Sequence, residues 1–220
     1  MRLLLTSGAT REPIDTVRFL SNVSTGHTGA RLADVLAQRG HAVTLLRGEG
    51  AAVPREVHEV LTFSSTENLQ NELKRLLRTG DYDAVIHCAA ISDYRPAETC
   101  KGKLSSYAPE LTLRLVPTPK LLPELKHYAP RPPVIVGFKL TAGADADARL
   151  LAVSKLFAAG TVDAVIHNDM DDLAAGDARP FHAYRSTQQT PASLAGLPAL
   201  ADWLHAFLAR TDLAPDSGMR

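Results

Sequence analysis

Long apolar runs, excess charge of one sign and paired cysteines are all scarce in this 220-residue chain, and each scarcity removes a class of function. No apolar stretch approaches the ~20 residues needed to span a bilayer. The opening MRLLLTSG turns polar after three leucines, too soon for the apolar core of a signal peptide. A cytoplasmic protein that does not act at a membrane is expected. Lys and Arg number 24 against 24 Asp and Glu, so no basic field exists to hold nucleic acid, and any anion must be held locally. The only cysteines, Cys88 and Cys100, lack metal or redox spacing and read as ordinary reduced thiols. The eight histidines include no His-x-x-x-His pair, and no Gly-x-Ser-x-Gly elbow occurs, which disfavours zinc and serine-hydrolase chemistry.

What is present is an alternation. Short Val-, Ile- and Leu-rich runs begin at Arg2, His41, Glu56, Asp83, Pro132 and Val162, and read as strands. Helical spacing fills the segments from Thr28, Thr66, Thr118 and Asp145, with Thr66 expected as an N-cap and Gly40, Gly80 and Gly160 at helix ends. Strands too continuously apolar to have a wet face, alternating with helices, predict an α/β fold: a doubly wound, mostly parallel, Rossmann-like sheet in a single domain over residues 1–210. ALADWLHAFLAR, around Trp203, reads as a last packing helix, periodicity is lost from Asp171 to Pro191, and residues 211–220 read as a disordered tail. The pentapeptide DAVIH occurs at Asp83–His87 and again at Asp163–His167; each copy ends in a polar turn, which places both turns at the carboxyl edge of the sheet where open α/β folds bind ligands.

The first strand raises the main question. A dinucleotide fingerprint would run G-x-G-x-x-G directly into a helix, with an acid closing the second strand. Here Gly8 is followed only much later by Gly26 and Gly29, and the second strand closes in LLRG, so an NAD(P) oxidoreductase is the weaker reading. The delayed segment SNVSTGHTGARLADVL opens a helix with Ser24, Thr25 and Gly26, suited either to phosphate at a positive helix end or to plain capping. The loop after the fourth strand carries Asp93, Tyr94, Arg95, Lys101 and Lys103, either solvated charge or a cationic rim. GFKL offers Phe138 either to a nucleobase or to the core and Lys139 to phosphate, and HND offers Asn168 and Asp169 to a base edge, a metal or a simple turn.

Taken in order, TSGATREPIDTVRFLSNVSTGHTG, AAISDYRP, KLSS, GFKL and HND resemble the phosphopantothenate–cysteine ligases of coenzyme A biosynthesis, from Met1 to about Asp169. The stand-alone form of that enzyme is expected, since no flavin-binding decarboxylase segment precedes the match. The resemblance implies that the 4'-phosphopantothenate carboxylate attacks the α-phosphate of CTP or ATP with Mg²⁺, releasing pyrophosphate, and that the amine of L-cysteine then attacks the acyl-nucleotidylate. It implies catalytic roles for Asn22, which orients the carboxyl, and Lys103, which absorbs phosphate charge. Nucleotide contacts are implied for Gly8, Ser24, Gly26, Asp93, Phe138, Lys139, Lys155 and Asn168, and close passage of the substrate for Ala89 and Ala90. No protein side chain is assigned to metal, and a homodimer is implied. Three departures stand out: Ala9 where the family has glycine, Ala159 where a second lysine is expected after Lys155, and FHAYRSTQQT in place of an Asn-x-Val strand. They keep a non-catalytic nucleotide-binding relative as an alternative.

Overall fold

The computed structural model describes residues 1–107 and 109–211. Six parallel strands form the body of one eight-stranded sheet: β1 (Arg2–Ser7), β4 (Ala42–Gly48), β5 (Glu59–Phe63), β6 (Ala84–His87), β9 (Val134–Thr141) and β10 (Ala164–Asp169). With β11 (Pro180–Tyr184) and β12 (Ala192–Ala195) added at one side, the spatial order is β12-β11-β10-β9-β6-β1-β4-β5. Among the parallel strands the chain therefore moves outward from β1 through β4 to β5, and then returns to β6 on the other side of β1. This reversal is the topological switch point of a doubly wound sheet, and its crevice lies between the carboxyl ends of β1 and β6.

Period-two alternation explains why the strands read as uniformly apolar. Leu3 and Leu5 face one core with Leu32 and Leu36 of α1 (His27–Gln38) and Leu204 of α4 (Gly196–Thr211), whereas Leu4 faces the other with Leu69 and Leu73 of α2 (Thr66–Thr79) and Val153 of α3 (Ala146–Phe157). Each of the three leucines is fully buried, which contributes roughly 1.5–3 kcal/mol apiece.

All six expected strands and four of the five expected helices form, the last packing helix around Trp203 being α4. The exception is the segment from Thr118, where only 3₁₀ turns over Leu122–Tyr128 appear. Pro123 sits at their start and removes the donor that a longer α-helix needs. Ser65, not Thr66, caps α2, its side chain accepting from Asn68 N at 3.2 Å. The aperiodic stretch hides structure: 3₁₀ turns over Met170–Ala178 lead into β11 (Pro180–Tyr184) and β12 (Ala192–Ala195), which extend the sheet antiparallel. Phe181 and Ala183 are buried there on the α1/α4 face. Two three-residue hairpin pairs, β2 (Arg11–Pro13) with β3 (Phe19–Ser21) and β7 (Tyr94–Pro96) with β8 (Leu115–Pro117), rise beside the switch point. Thr211 ends α4, and the rest of the expected tail, 212–220, lies outside the described residues.

Candidate functional site

The long first loop is an anchor built from three buried polar side chains. Thr10, Glu12 and Asp15 are each 5% exposed or less, unusual for such residues in a loop. Thr10 Oγ1 accepts from Ser92 N at 3.0 Å, tying the loop to the turn after β6. Glu12 accepts from Thr66 N at 2.9 Å and Thr66 Oγ1 at 2.6 Å, tying it to the start of α2, where a negative charge suits the helix dipole. Asp15 accepts from Val17 N and Arg18 N, both at 2.8 Å, from Arg18 Nη1 at 2.6 Å and from Leu104 N at 3.0 Å. Burial opposes ionisation of Asp15, but its donors, led by the Val17, Leu104 and Arg18 amides, outweigh it and hold the carboxyl at about 2.

The consequence falls on Lys103. Thr16 N donates to Gly102 O at 3.4 Å, and Asp15 receives Leu104 N, so the backbone on each side of Lys103 is tied to the first loop. Arg18 Nη1 adds a bond to Leu104 O at 3.3 Å. Lys103 itself is exposed, a mobile ammonium on a fixed base.

Asn22 is exposed near the same crevice and donates Nδ2 to Ile91 O at 2.9 Å. That bond uses one amide hydrogen and orients the carboxamide, whose second hydrogen suits a carboxylate oxygen. Ala89 and Ala90 follow β6 at the switch point, with Ala90 N donating to Gly8 O at 2.8 Å and Thr10 N donating to Ala90 O at 3.1 Å. Ala9 forms a bridge with Ala90, and no non-glycine described residue has a positive φ, so the backbone at Ala9 does not need glycine. Gly8 and Gly26 do: their φ values are 79° and 71°, and a Cβ on Gly26 would stand 3.1 Å from Gly8 N. The two glycines thus bring the delayed helix start back onto the turn after β1. Gly26 is the N-cap of α1 without a side-chain cap, and with His27 N donating to Thr25 Oγ1 at 3.4 Å the amides of Thr28 and Gly29 are left at the helix start beside the crevice. Ser24, half-buried, precedes it.

The remaining candidates divide. Phe138 and Lys139, adjacent on β9, point to opposite faces: Phe138 packs on the α1/α4 core, and Lys139 lies in register with His167 on the other side. Asn168, buried, lies opposite Leu140 and shares the Phe138 face at the carboxyl edge. Asp93 is exposed and ion-paired to Lys120. Lys155 is not brought to this edge. It sits in the last turn of α3, roughly 14 Å back along the axis from the helix start at 1.5 Å per residue, and Ala159 follows the C-cap.

Of the roles open to Asp169 in HND, the structure shows that of fixing a turn, and the histidines that close the two DAVIH strands lie at the same edge. Asp169 accepts from Thr141 Oγ1 at 2.6 Å, Gly143 N at 2.9 Å, Asp171 N at 3.1 Å and Ala144 N at 3.2 Å; the Thr141 bond leads the set that holds its carboxyl well below the usual range. The repeated pentapeptide ends each time in a buried histidine against a threonine hydroxyl, His87 Nδ1 at 2.9 Å from Thr6 Oγ1 and His167 Nε2 at 2.7 Å from Thr141 Oγ1. Burial pushes both imidazoles down to about 4, so both are neutral at pH 7. A signal was present for these, since buried polar residues at strand ends are the expected way to fix the loops that follow.

Fold and crevice together define the class: a doubly wound α/β domain whose switch point joins an open helix start, an oriented carboxamide and a lysine on a braced loop. The chain belongs to the family of the DNA/pantothenate metabolism flavoprotein C-terminal domain, which it matches over residues 1–190. It is 34% identical over 169 residues to the coenzyme A biosynthesis bifunctional protein CoaBC of Thermococcus kodakarensis, covering 77% of this chain and 41% of that one. The Methanocaldococcus jannaschii CoaBC is 34% identical over 178 residues, covering 80% of this chain and 42% of the relative. The chain therefore spans about two-fifths of these relatives. The solved DNA/pantothenate metabolism flavoprotein of Streptococcus pneumoniae superposes with a TM-score of 0.85 at 24% identity, covering 96% of this chain and 99% of that one. A Cab2 mutant in complex with phosphopantothenate-cysteine superposes at 0.74 with 18% identity, covering 97% and 89%. These two structures share the fold. Among the described residues no helix is long and apolar enough to cross a membrane.

Proposed function

We propose that this domain joins 4'-phosphopantothenate to L-cysteine through an acyl-nucleotidylate formed from CTP or ATP. The observation that carries the reading is the bracing of Lys103 by Asp15 and Thr16 beside the loop that presents Asn22. Two anions must meet in the first step, the substrate carboxylate and the α-phosphate. Lys103 offsets their repulsion and takes up charge passing to the leaving pyrophosphate. Asn22 holds the carboxylate by a neutral donor, which orients it for in-line attack without neutralising the nucleophile. The α1 start, with Gly8, Ser24 and Gly26, receives phosphate oxygens, Phe138 and Asn168 line the same face, and Asp93 and Lys139 border the nucleotide. The small side chains of Ala89 and Ala90 let the acyl chain pass over the switch point. In the second step the cysteine amine displaces the nucleotide from the acyl carbon.

Mg²⁺ would neutralise the triphosphate. Among the described residues no three His, Cys, Asp or Glu side chains converge to hold a metal. A homodimer fits the exposed apolar side chains on the two hairpin arms, among them Phe19, Tyr94 and Leu115, and sedimentation would report it. The test of function is direct detection of 4'-phosphopantothenoylcysteine by mass spectrometry, with CTP and ATP in parallel. Product with either nucleotide supports the ligase; nucleotide binding with no product from either leaves only a binding protein.

A further inference from the structure

Arg179 lies just ahead of β11, beside the segment FHAYRSTQQT that stands where the resemblance implies an Asn-x-Val strand. It is 7% exposed. Its Nη2 donates to Thr28 Oγ1 in the first turn of α1, its Nη1 donates to Gly176 O at 3.2 Å, and Nε has no partner. Both acceptors are neutral. The carboxylate whose field reaches it, Asp177, is engaged by His27 Nε2 and Arg31 Nε, each at 3.4 Å. A guanidinium keeps its proton at any ordinary pH, so a full positive charge is buried at the positive end of a helix. That placement is unfavourable on two counts, and an anion relieves both.

A second buried polar group waits under the same turn. Ser7, at the end of β1, is fully buried and its Oγ has no hydrogen-bond partner. It sits directly beneath Gly29, where an added Cβ would stand 2.4 Å from Ser7 Cβ. The first bond inside α1 runs from Ala30 N to Gly26 O at 3.0 Å, and before it His27 N turns back to Thr25 Oγ1 at 3.4 Å, which leaves the Thr28 and Gly29 amides at the helix start. Open amides, an arginine without an anion and an unpartnered hydroxyl thus meet at one helix end.

We propose that Arg179, together with Thr28 and the first amides of α1, binds a phosphate group of a substrate. Which phosphate rests on the ligase reading: the monoester of 4'-phosphopantothenate or the polyphosphate of the nucleotide. Binding replaces the contact to the Thr28 hydroxyl by a charge-assisted fork to two phosphate oxygens.

The test measures dissociation constants by calorimetry for wild type, R179M, R179K and T28V against 4'-phosphopantothenate, pantothenate, CTP, ATP and inorganic phosphate. R179M keeps an apolar stem over the Phe181 ring, and circular dichroism checks its fold. Removing charge-assisted bonds weakens the phosphate ligand roughly 10- to 100-fold, with R179K intermediate because it keeps the charge and loses the fork. If the ligand is the monoester, phosphopantothenate weakens and pantothenate does not; if it is the nucleotide, CTP or ATP weakens alone. Should R179M fail to fold, R179K and T28V must each weaken one of these ligands several-fold. Wild-type affinities in all folded variants, or no phosphate ligand bound by wild type, overturn the site. A wild type that binds phosphopantothenate without forming product removes the ligase and leaves the site; full turnover by R179M does the reverse.

Discussion

Glu12→Ala is the sharpest structural perturbation of the first loop. The carboxylate is 2% exposed and accepts two hydrogen bonds from one residue, Thr66 N at 2.9 Å and Thr66 Oγ1 at 2.6 Å. Hydrogen bonds to charged groups contribute roughly 1.5–3 kcal/mol each, so their loss, with Thr66 N left buried, is expected to cost about 3–5 kcal/mol. Set against a total stability of roughly 5–15 kcal/mol, this is severe without being fatal. Thr66→Ala removes only the hydroxyl and should cost about 1–3 kcal/mol. The two losses share a partner, so the double variant should fall short of their sum by at least about 1 kcal/mol. Urea unfolding followed by far-UV circular dichroism supplies the four free energies, compared where the m-values agree. A Glu12→Ala loss below about 1 kcal/mol, or full additivity with Thr66→Ala, would refute the anchoring scheme, because two bonds to a buried carboxylate cannot be that weak or that independent.

Other consequences are as specific. Gly8→Ala places a Cβ 2.6 Å from Ala51 Cβ at a φ of 79°, and should cost at least about 1–2 kcal/mol in the same unfolding assay, while Gly40→Ala, whose Cβ would meet nothing within 4 Å, bears only the positive-φ strain. His87 has its folded pKa depressed to about 4 against an ordinary 6.5, so the unfolded chain takes up the proton first: stability should decline as pH falls from about 6.5 to 4, by up to roughly 3 kcal/mol, and His87→Gln should flatten that slope. Asp15, depressed to about 2, stabilises fully above its unfolded pKa near 3.8 and loses that contribution as pH falls toward 2; an acid titration of Asp15→Asn should lack this last phase. Asn22→Ala should unfold like wild type, since Asn22 is exposed, yet lose at least about tenfold in kcat/KM for 4'-phosphopantothenate; unchanged kinetics would remove Asn22 from the reaction.

Much of this was legible in the residues because both faces of the sheet are buried. Leu3, Leu4 and Leu5 can all be apolar only in a strand covered on both sides, and from that one property the parallel sheet and its ligand edge follow. The segment after Asp171 was opaque for the opposite reason. β11 is five residues long, its buried Phe181 and Ala183 alternate with Pro180 and His182, and a proline at the first position masks an antiparallel edge pairing that depends on β10 being its neighbour. At the site, Gly8, Gly26, Ala89 and Ala90 converge as their order along the chain implies. Phe138 and Lys139 are neighbours in GFKL, but adjacency in a strand puts them on opposite faces. Lys155 matches a family lysine in sequence, but the length of α3 carries it away from the crevice. Arg179 carries no motif at all, and only the fold shows that it reaches Thr28.

The most direct test of the ligase account is pyrophosphate release by the purified protein with Mg²⁺, 4'-phosphopantothenate and L-cysteine, run with CTP and with ATP and with each component omitted in turn. The account predicts release that requires 4'-phosphopantothenate and falls by orders of magnitude in Lys103→Gln. Release indifferent to 4'-phosphopantothenate, or none with either nucleotide, would contradict it.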